Sequence, residues 1–275
     1  MPTSRSWRET SNKFNEKGLL HLCSGLFLGE REEGMENTNK GKCILMCAGQ
    51  YFGDKIEKVP GDLVIAVDGG LRHLIDRGVQ PDLVIGDFDS LESEYEDALA
   101  QYRKAGDGVF YQLPVVKDDT DTLAAVKLGY ERGYRTFEIY GGLGGRLDHT
   151  MANVQTLVWL VRRGASGILR DRETDVTVIG KGVFRLPASF EGTVSLFALD
   201  ERLTDVTIQG MKYNVEHVTV TNDFPVGCSN ETVSRAGEAG GSKDKAAGSE
   251  IPAQISIGSG TGLLIMTAHL KNRHH

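Results

Sequence analysis

The sequence predicts an α/β fold in which an N-terminal, mostly parallel α/β sheet domain is followed by a C-terminal antiparallel β-sandwich domain. Between Lys42 and about residue 180, short apolar segments alternate with stretches of helical period, which is typical of a parallel sheet with helices on its faces. Beyond residue 181, apolar segments follow one another without helical spacers, which is typical of antiparallel strands. We therefore expect an α/β domain over residues 41–180 and a β-sandwich domain over residues 181–270.

The first domain is expected to contain six strands and four helices. The expected strands cover residues 43–48, 63–67, 83–85, 109–112, 136–140 and 167–169. The expected helices cover residues 71–77, 92–104, 120–132 and 148–163. A glycine stands directly after each helix, at positions 78, 106, 133 and 164, where a helix end favours glycine. The regular order of these elements is the main support for the parallel sheet.

The second domain is expected to contain five strands, at residues 193–198, 204–209, 215–220, 254–257 and 263–266. Residues 235–250 are rich in Gly, Ala, Ser and Lys and have no apolar period, so we expect a mobile excursion there. Residues 1–40 are polar and lack a sustained period, so a disordered or loose extension is expected. One hypothesis is that the native chain begins at Met35, because the codons of residues 30–34 would be purine-rich, like a ribosome-binding region.

Composition and charge exclude several classes of protein. The chain of 275 residues has a formal net charge of -7, and a nucleic-acid-binding protein usually carries a basic face. No apolar run approaches the roughly 18 to 20 residues that span a bilayer, and the N-terminus has no secretory apolar region. The four cysteines have no C-x-x-C spacing, so neither a disulfide framework nor a zinc site is indicated. A cytoplasmic protein is expected.

Two carboxylates follow the third expected strand, in the segment Gly86-Asp87-Phe88-Asp89-Ser90. In parallel sheets the ligand crevice lies at the carboxyl ends of the strands. If the chain stays extended, Asp87 and Asp89 project the same way, and a divalent cation such as Mg²⁺ would relieve their repulsion. The alternative is a solvated turn in which Asp89 or Ser90 caps the next helix.

A glycine-rich segment, Gly141 to Gly145, follows the fifth expected strand and precedes a helix. Glycines let backbone N–H groups approach an anion, and a helix N-terminus adds partial positive charge, so the segment is a candidate phosphate site. Arg146 carries planar donors that suit phosphate. The alternatives are a flexible loop and an ion pair between Arg146 and Asp148.

Two further strand ends carry polar residues. Asp68-Gly69-Gly70 follows the second expected strand, and Lys117-Asp118-Asp119-Thr120-Asp121 follows the fourth. Asp118 and Asp121 are three residues apart at a helix start, so both could face the crevice. Asp119 or Thr120 is expected to cap this helix, and capping is the role expected of Asp119. Lys117 could neutralise a phosphate or pair with Asp118.

The ordered set of these motifs, with Ser229-Asn230-Glu231 in the second domain, is similar to the thiamine pyrophosphokinase family from about Ile44 to Met266. The resemblance implies an enzyme that transfers the pyrophosphoryl group of ATP to the hydroxyl of thiamine, giving thiamine diphosphate and AMP with Mg²⁺. It implies an ATP- and Mg²⁺-binding first domain and a thiamine-binding second domain. It also implies a homodimer with the site between subunits.

The resemblance also assigns roles to individual residues. Asp87, Asp89 and Asp118 would hold Mg²⁺, and Arg146 would act on the phosphates as they react. Ser229 and Asn230 would face the thiamine pyrimidine, although the bare dipeptide also suits a hairpin turn. The other residues expected to bind the substrates or support the site are Asp68, Gly69, Gly70, Lys117, Asp121, Gly142, Gly145 and Asp148. Asp118 or Asp68 would help to remove the hydroxyl proton.

Two alternatives stay open at this point. The same carboxylates would serve a Mg²⁺-dependent nucleotide hydrolase that activates water and binds no acceptor. The second domain would serve a non-enzymatic thiamine diphosphate sensor. The expected excursion directly follows the Ser229-Asn230-Glu231 segment, so it could alter thiamine affinity.

Overall fold

A computed structural model describes residues 40–51, 56–89, 91–115, 118–233 and 252–269. The expected extension, apart from Lys40, lies outside the described residues, and so does the hypothetical start at Met35. The excursion expected at residues 235–250 also lies outside them. Within the described part of the chain, no helix is long and apolar enough to cross a membrane.

All six strands and four helices expected in the first part are present, with ends that shift by a few residues. The strands are β1 Cys43–Met46, β2 Leu63–Val67, β3 Leu83–Gly86, β4 Phe110–Gln112, β5 Thr136–Tyr140 and β6 Ser166–Arg170. The helices are α1 Gly70–Asp76, α2 Glu96–Ala105, α3 Asp121–Glu131 and α4 Leu147–Val161. A 3-10 turn, Ser93–Tyr95, precedes α2. The α-helix therefore begins at Glu96 and not at the expected residue 92.

The second part contains eight strands. They are β7 Thr174–Ile179, β8 Gly182–Arg185, β9 Gly192–Ala198, β10 Arg202–Gln209, β11 Val215–Thr221, β12 Asn230–Glu231, β13 Gln254–Ile257 and β14 Gly262–Ala268. The five expected strands are among them. Three strands were not expected, namely β7, β8 and β12. Their sequences are short or half polar, and they are stabilised by pairing with strands that are distant in the sequence.

The strands form two sheets. Ten strands pair in the order β12-β9-β14-β7-β6-β5-β1-β2-β3-β4, and four pair in the order β11-β10-β13-β8. The strands β1 to β6 are parallel, whereas β7 runs antiparallel to β6 and to β14. The fold class is therefore confirmed, and the large sheet continues without interruption from the parallel part into the sandwich. The division at residue 180 stays a prediction.

The parallel strands are buried on both faces, as their continuous apolar sequences predict. Cys43 and Leu45 of β1 pack in the core that α3 and α4 cover. Ile44 and Met46 face the opposite way, into the core that α1 and α2 cover. Farther along the large sheet, a third core lies between the strands β9 and β14 on one side and the four-stranded sheet on the other. The sandwich therefore continues the α/β layers rather than standing apart from them.

The topology places a crevice beside β1. The chain builds β2, β3 and β4 on one side of β1 and then crosses to β5 on the other side. A ligand crevice in an open α/β sheet lies outside the carboxyl ends of the strands at such a reversal. The loops that follow β1, β2, β3 and β5 are therefore the candidate site.

Candidate active site

The loops after β2 and β3 are packed directly against one another. A Cβ atom on Gly86 would lie 2.8 Å from Asp68 Cα, so a glycine is needed for this close approach. The Asp68 N–H donates to the Ile85 carbonyl at 2.8 Å, and Asp68 Oδ1 accepts from the Phe88 N–H at 3.1 Å. Asp68 therefore supports the loop that carries Asp87.

The chain is not extended between Asp87 and Asp89. Phe88 has a φ of 58°, and its buried ring stacks on Phe110 with 5.6 Å between ring centroids. The Asp89 N–H donates to Asp87 Oδ1 at 3.3 Å, and Gln112 Nε2 donates to the Asp87 carbonyl at 3.0 Å. The premise that the two carboxylates project the same way along an extended strand is therefore wrong, because the buried Phe88 ring turns the backbone.

Three carboxylates interact electrostatically at this edge of the sheet. Burial raises the pKa of Asp68, and the negative charges of Asp87 and Asp121 raise it further. Asp121 is the first residue of α3, whereas Asp118 lies exposed before the helix. Asp87 and Asp121 are therefore the carboxylates whose charges raise the pKa of Asp68.

The start of α3 differs from the expectation in one respect. Thr120 is the N-terminal cap, and its Oγ1 accepts from the Leu123 N–H at 3.2 Å. Asp119 instead binds Lys127 Nζ, at 2.6 Å and 2.8 Å to its two carboxylate oxygens. Of the two expected caps, Thr120 is confirmed and Asp119 is wrong, because a lysine on the second turn of α3 takes the Asp119 carboxylate. Lys117 lies outside the described residues.

The glycine-rich loop is anchored at its start and open at its middle. The Gly141 carbonyl accepts from the Gly49 N–H at 3.1 Å, and the Gly142 carbonyl accepts from Asn153 Nδ2 at 2.8 Å. Gly144 and Gly145 have φ angles of 77° and 64°, and a Cβ on either would meet no atom within 4 Å. The loop therefore leaves space above its backbone, as an anion cradle requires.

Arg146 and Asp148 form a two-pronged ion pair at the start of α4. Arg146 Nη2 lies 2.6 Å from Asp148 Oδ2, and Nε lies 3.2 Å from Oδ1. The guanidinium holds the pKa of Asp148 below its usual value. The Arg146 and Asp148 side chains are 72% and 65% exposed, and such exposed ion pairs contribute little to the stability of the fold. The guanidinium is therefore able to exchange this carboxylate for a phosphate.

The donor chemistry of the site fits magnesium, although the described residues do not provide a complete set of protein ligands. Among residues 40–269 that the structure describes, no group of three or more His, Cys, Asp or Glu side chains is placed to hold a metal ion. Mg²⁺ usually takes only one or two carboxylates and completes its shell with water and substrate phosphate. Asp68, Asp87 and Asp121 are hard oxygen donors suited to that arrangement, and the charges of the other two raise the pKa of Asp68.

The segment with Ser229 and Asn230 lies in the sandwich. Ser229 is exposed with a φ of 57°, and its N–H donates to Ser195 Oγ at 2.9 Å. The buried Asn230 accepts from the Tyr213 N–H at 3.0 Å and donates to the Tyr213 carbonyl at 2.8 Å. The Asn230 side-chain amide thus holds the backbone of Tyr213, a residue that is 60% exposed. Sequence reasoning missed Tyr213, since an aromatic residue in a hairpin carries no signal of its own.

The two groups of candidate residues lie far apart in one chain. Asn230 belongs to β12 at one edge of the large sheet, whereas Asp87 follows β3 near the other edge. Eight inter-strand spacings separate these strands, or about 38 Å at about 4.8 Å for each spacing. A single chain therefore does not bring Asn230 to Asp87.

Acidic and glycine-rich loops at one edge of a parallel sheet place the chain among the α/β proteins that bind phosphorylated ligands. The family profile described as "Thiamin pyrophosphokinase, catalytic domain" matches residues 59–169. The profile described as "Thiamin pyrophosphokinase, vitamin B1 binding domain" matches residues 183–238. Together the two matches cover more than half of the chain, and the chain belongs to the thiamin pyrophosphokinase family.

Individual relatives agree with this membership. A thiamine pyrophosphokinase of Bacillus subtilis is 28% identical over 176 residues, which are 64% of this chain and 80% of that protein. A thiamin pyrophosphokinase of Caenorhabditis elegans is 26% identical over 179 residues, which are 61% of this chain and 70% of that protein.

Solved structures share the fold. A crystal structure of the Bacillus subtilis thiamine pyrophosphokinase superposes with a TM-score of 0.68 at 22% identity and covers 84% of this chain and all of its own. The yeast thiamin pyrophosphokinase superposes with a TM-score of 0.60 at 16% identity, covering 85% of this chain and 88% of its own. The sandwich and the sheet that it continues are therefore shared across distant sequences.

Proposed function

We propose that this chain is a thiamine pyrophosphokinase, which transfers the pyrophosphoryl group of ATP to the hydroxyl of thiamine. The thiamine oxygen attacks the β-phosphorus, the bond to the α-phosphate oxygen breaks, and AMP leaves. The observation that carries the proposal is the group of three carboxylates, Asp68, Asp87 and Asp121, at the same sheet edge as the glycine-rich loop, in a chain with both family domains. Its substrates are ATP and thiamine.

The glycine-rich loop and Arg146 bind the phosphates of ATP. Gly145 is exposed, and a Cβ there would meet no atom within 4 Å, so its backbone is open to a phosphate, and the N-terminus of α4 adds partial positive charge. The buried Gly142 anchors the loop through its carbonyl, which accepts from Asn153. Arg146 turns from Asp148 to the phosphate, where its planar fork binds two oxygens. Gly69 and Gly70 allow α1 to begin close to β1 on the same edge, because a Cβ on Gly70 would lie 2.0 Å from the Met46 carbonyl oxygen.

Magnesium is bound through carboxylates and the phosphate chain. Asp87 and Asp121, which act on Asp68 at this edge of the sheet, would hold Mg²⁺, and the resemblance adds Asp89 and Asp118. When bound, Mg²⁺ neutralises charge on the phosphate oxygens. Burial raises the pKa of Asp68, which makes its carboxylate a stronger base for the hydroxyl proton of thiamine than an ordinary aspartate.

The active enzyme is a homodimer in which the sandwich of one copy faces the carboxylates of the other. The separation of about 38 Å between β12 and β3 leaves the site incomplete in a single chain. Exposed apolar side chains lie near each half of the site. They are Val115, Leu147 and Met151 beside the phosphate loops, and Tyr213, Phe224 and Val226 in the sandwich.

Thiamine is held on the sandwich by Ser229 and Tyr213. Asn230 uses its side-chain oxygen and one amide hydrogen on the Tyr213 backbone, so its main contribution is to fix the Tyr213 ring as a platform. An aromatic face suits the planar rings of thiamine and attracts its positive charge. The cytoplasm is the proposed location, since the described cysteines, Cys43, Cys47 and Cys228, are free thiols and thiols persist where the medium is reducing.

The deciding experiment is to incubate the purified protein with ATP, Mg²⁺ and thiamine and to identify the products. AMP and thiamine diphosphate in equal amounts are expected. Phosphate release that does not depend on thiamine would support the nucleotide hydrolase instead. Binding of thiamine diphosphate without any turnover would support the sensor.

Asp87→Asn tests the role of the carboxylate group. We expect an intact fold and a turnover lower by about two orders of magnitude, the scale of losing a major electrostatic contributor. Asp97→Asn is the matched control, since Asp97 lies exposed on α2 and should leave turnover unchanged. Near-normal turnover of Asp87→Asn at saturating Mg²⁺ would refute the metal-binding role.

A further inference from the structure

The side chain of Arg72 connects two of the loops that surround the candidate site. Arg72 lies on the first turn of α1. Its Nη2 donates to the carbonyl of Ala48, in the loop after β1, at 3.1 Å. Its Nη1 donates to Glu92 Oε1 at 2.5 Å. Glu92 lies three residues beyond Asp89, so one guanidinium joins the β1 loop to the segment that leaves the acidic loop.

Other side chains of α1 and its C-terminal end also hold these loops, and Asp76 Oδ1 accepts from the hydroxyl of Tyr95, in the turn after Glu92, at 3.0 Å. His73 Nε2 lies 2.8 Å from the Gly49 carbonyl oxygen, and the Arg77 guanidinium lies over the Tyr51 ring at 4.6 Å from its centroid. Both contacts hold the β1 loop against the helix. The two hydrogen bonds of the Arg72 guanidinium reach both the β1 loop and the segment after β3.

The contact requires the shape of arginine. A guanidinium has five donors in a rigid plane, so two of them can point to partners on different elements. A lysine carries its charge at one point and would keep either the Ala48 carbonyl or the Glu92 carboxylate in the same geometry, not both. The Arg72 and Glu92 side chains are 33% and 46% exposed, so the pair adds little to overall stability.

We propose that Arg72 is a positioning residue of the transfer reaction, which sets the acidic loop at a fixed distance from the β1 loop without touching ATP or thiamine. The role of the loop in the reaction rests on the proposed function. The physical link itself, from Arg72 through Glu92 to the chain beyond Asp89, does not depend on it. A displacement of about 1 Å at a reacting group can cost about 100-fold in rate, so a weak surface contact can still matter for turnover.

A double-mutant cycle tests the proposal. Arg72→Ala and Glu92→Ala should each lower kcat by between about tenfold and 100-fold, with little change in the KM of thiamine. The double variant should be no slower than the slower single variant, because both changes break the same link. Arg72→Lys should recover only part of the rate. Arg103→Ala with Glu96→Ala is the matched control, since that pair spans 3.5 Å within α2 and should not change kcat.

Amide hydrogen exchange gives a readout that does not depend on activity. Faster exchange over residues 83–95 is expected in both Arg72→Ala and Glu92→Ala, while melting temperatures stay within about 3 °C of the parent. A full loss of rate in Arg72→Ala with none in Glu92→Ala would overturn the proposal, because it indicates direct contact with phosphate. Unchanged exchange and kcat in both would overturn it as well. Failure of the parent protein to form thiamine diphosphate would refute the proposed function instead, and the exchange result would still decide the link.

Discussion

Glu138→Ala is expected to destabilise the protein more than any surface charge removal, because Glu138 is a carboxylate in the middle of the large sheet. It lies on β5 and is 4% exposed. Its cross-strand neighbours, Ile44 on β1 and Ile168 on β6, are apolar and buried. The carboxylate thus occupies a polar gap between two apolar cores on the same face of the sheet.

Three groups compensate the buried charge. Glu138 Oε1 lies 3.0 Å from Lys42 Nζ and 3.2 Å from Arg170 Nη2. Oε2 accepts from the Tyr140 hydroxyl at 3.0 Å, and burial, followed by the charge of Glu138, raises the pKa of Tyr140 well above its usual value. Removal of the carboxylate would take the counter-charge of Glu138 away from the Arg170 cation, which is only 13% exposed.

The size of the loss follows from these contacts. Breaking a buried pair by removing one partner costs about 3–5 kcal/mol. Lys42 is 35% exposed and can be hydrated, so we expect about 3 kcal/mol for Glu138→Ala. Glu138→Gln keeps an acceptor oxygen and should cost less, about 1–2 kcal/mol.

Urea unfolding at a fixed protein concentration measures this loss of unfolding free energy. The control is Asp200→Ala, which breaks the pair with Arg162 at 3.4 Å, whose side chains are 64% and 39% exposed. That change should cost about 1 kcal/mol or less. If Glu138→Ala costs no more than Asp200→Ala, the argument from buried charge is refuted.

Two further predictions concern stability. Asp205 Oδ1 lies 2.5 Å from His217 Nδ1, and this contact raises the pKa of His217. The pair therefore stabilises the fold fully below the unfolded pKa of His217, about 6.5. This stabilisation is lost as the pH rises through the higher pKa that His217 has in the folded protein. Asp205→Asn should therefore lower the melting temperature at about pH 5.5 and leave it unchanged at about pH 9; an equal loss at both values would refute the linkage. Gly70→Ala should cost about 3 kcal/mol or more of unfolding free energy in urea, since the new Cβ would lie 2.0 Å from the Met46 carbonyl oxygen and overpacking is costly. Gly144→Ala, where no atom lies within 4 Å but φ is 77°, should cost only about 1–2 kcal/mol, and equal losses would contradict the packing argument.

The acidic loop shows the limit of prediction from local pattern. The sequence identified Asp87 and Asp89 as a strand-end pair, because a buried strand followed by glycine is recognisable from neighbouring residues alone. It did not reveal that Phe88 buries its ring on Phe110 and turns the backbone. That turn depends on β4, which lies more than twenty residues farther along the chain.

The α3 start shows the same division. The motif placed Asp118, Asp119, Thr120 and Asp121 at a helix start, since polar residues that accept hydrogen bonds favour that position. The choice of Thr120 as the cap depends on Lys127 taking the carboxylate of Asp119. The interaction of Asp121 with Asp68 depends on how α3 packs against the sheet.

The sequence by itself determined the fold class, the expected strands and helices of the parallel part and the strand ends that carry acidic and glycine-rich segments. These features follow from periodicity and turn chemistry within about ten residues. Only the tertiary structure decided that β6 and β7 join the two parts in one sheet, that the charges of Asp87 and Asp121 act on Asp68, and that Asn230 holds the backbone of Tyr213. The physical reason is that strand pairing and side-chain contacts join residues far apart in the chain, and local sequence does not encode which distant partner each will meet.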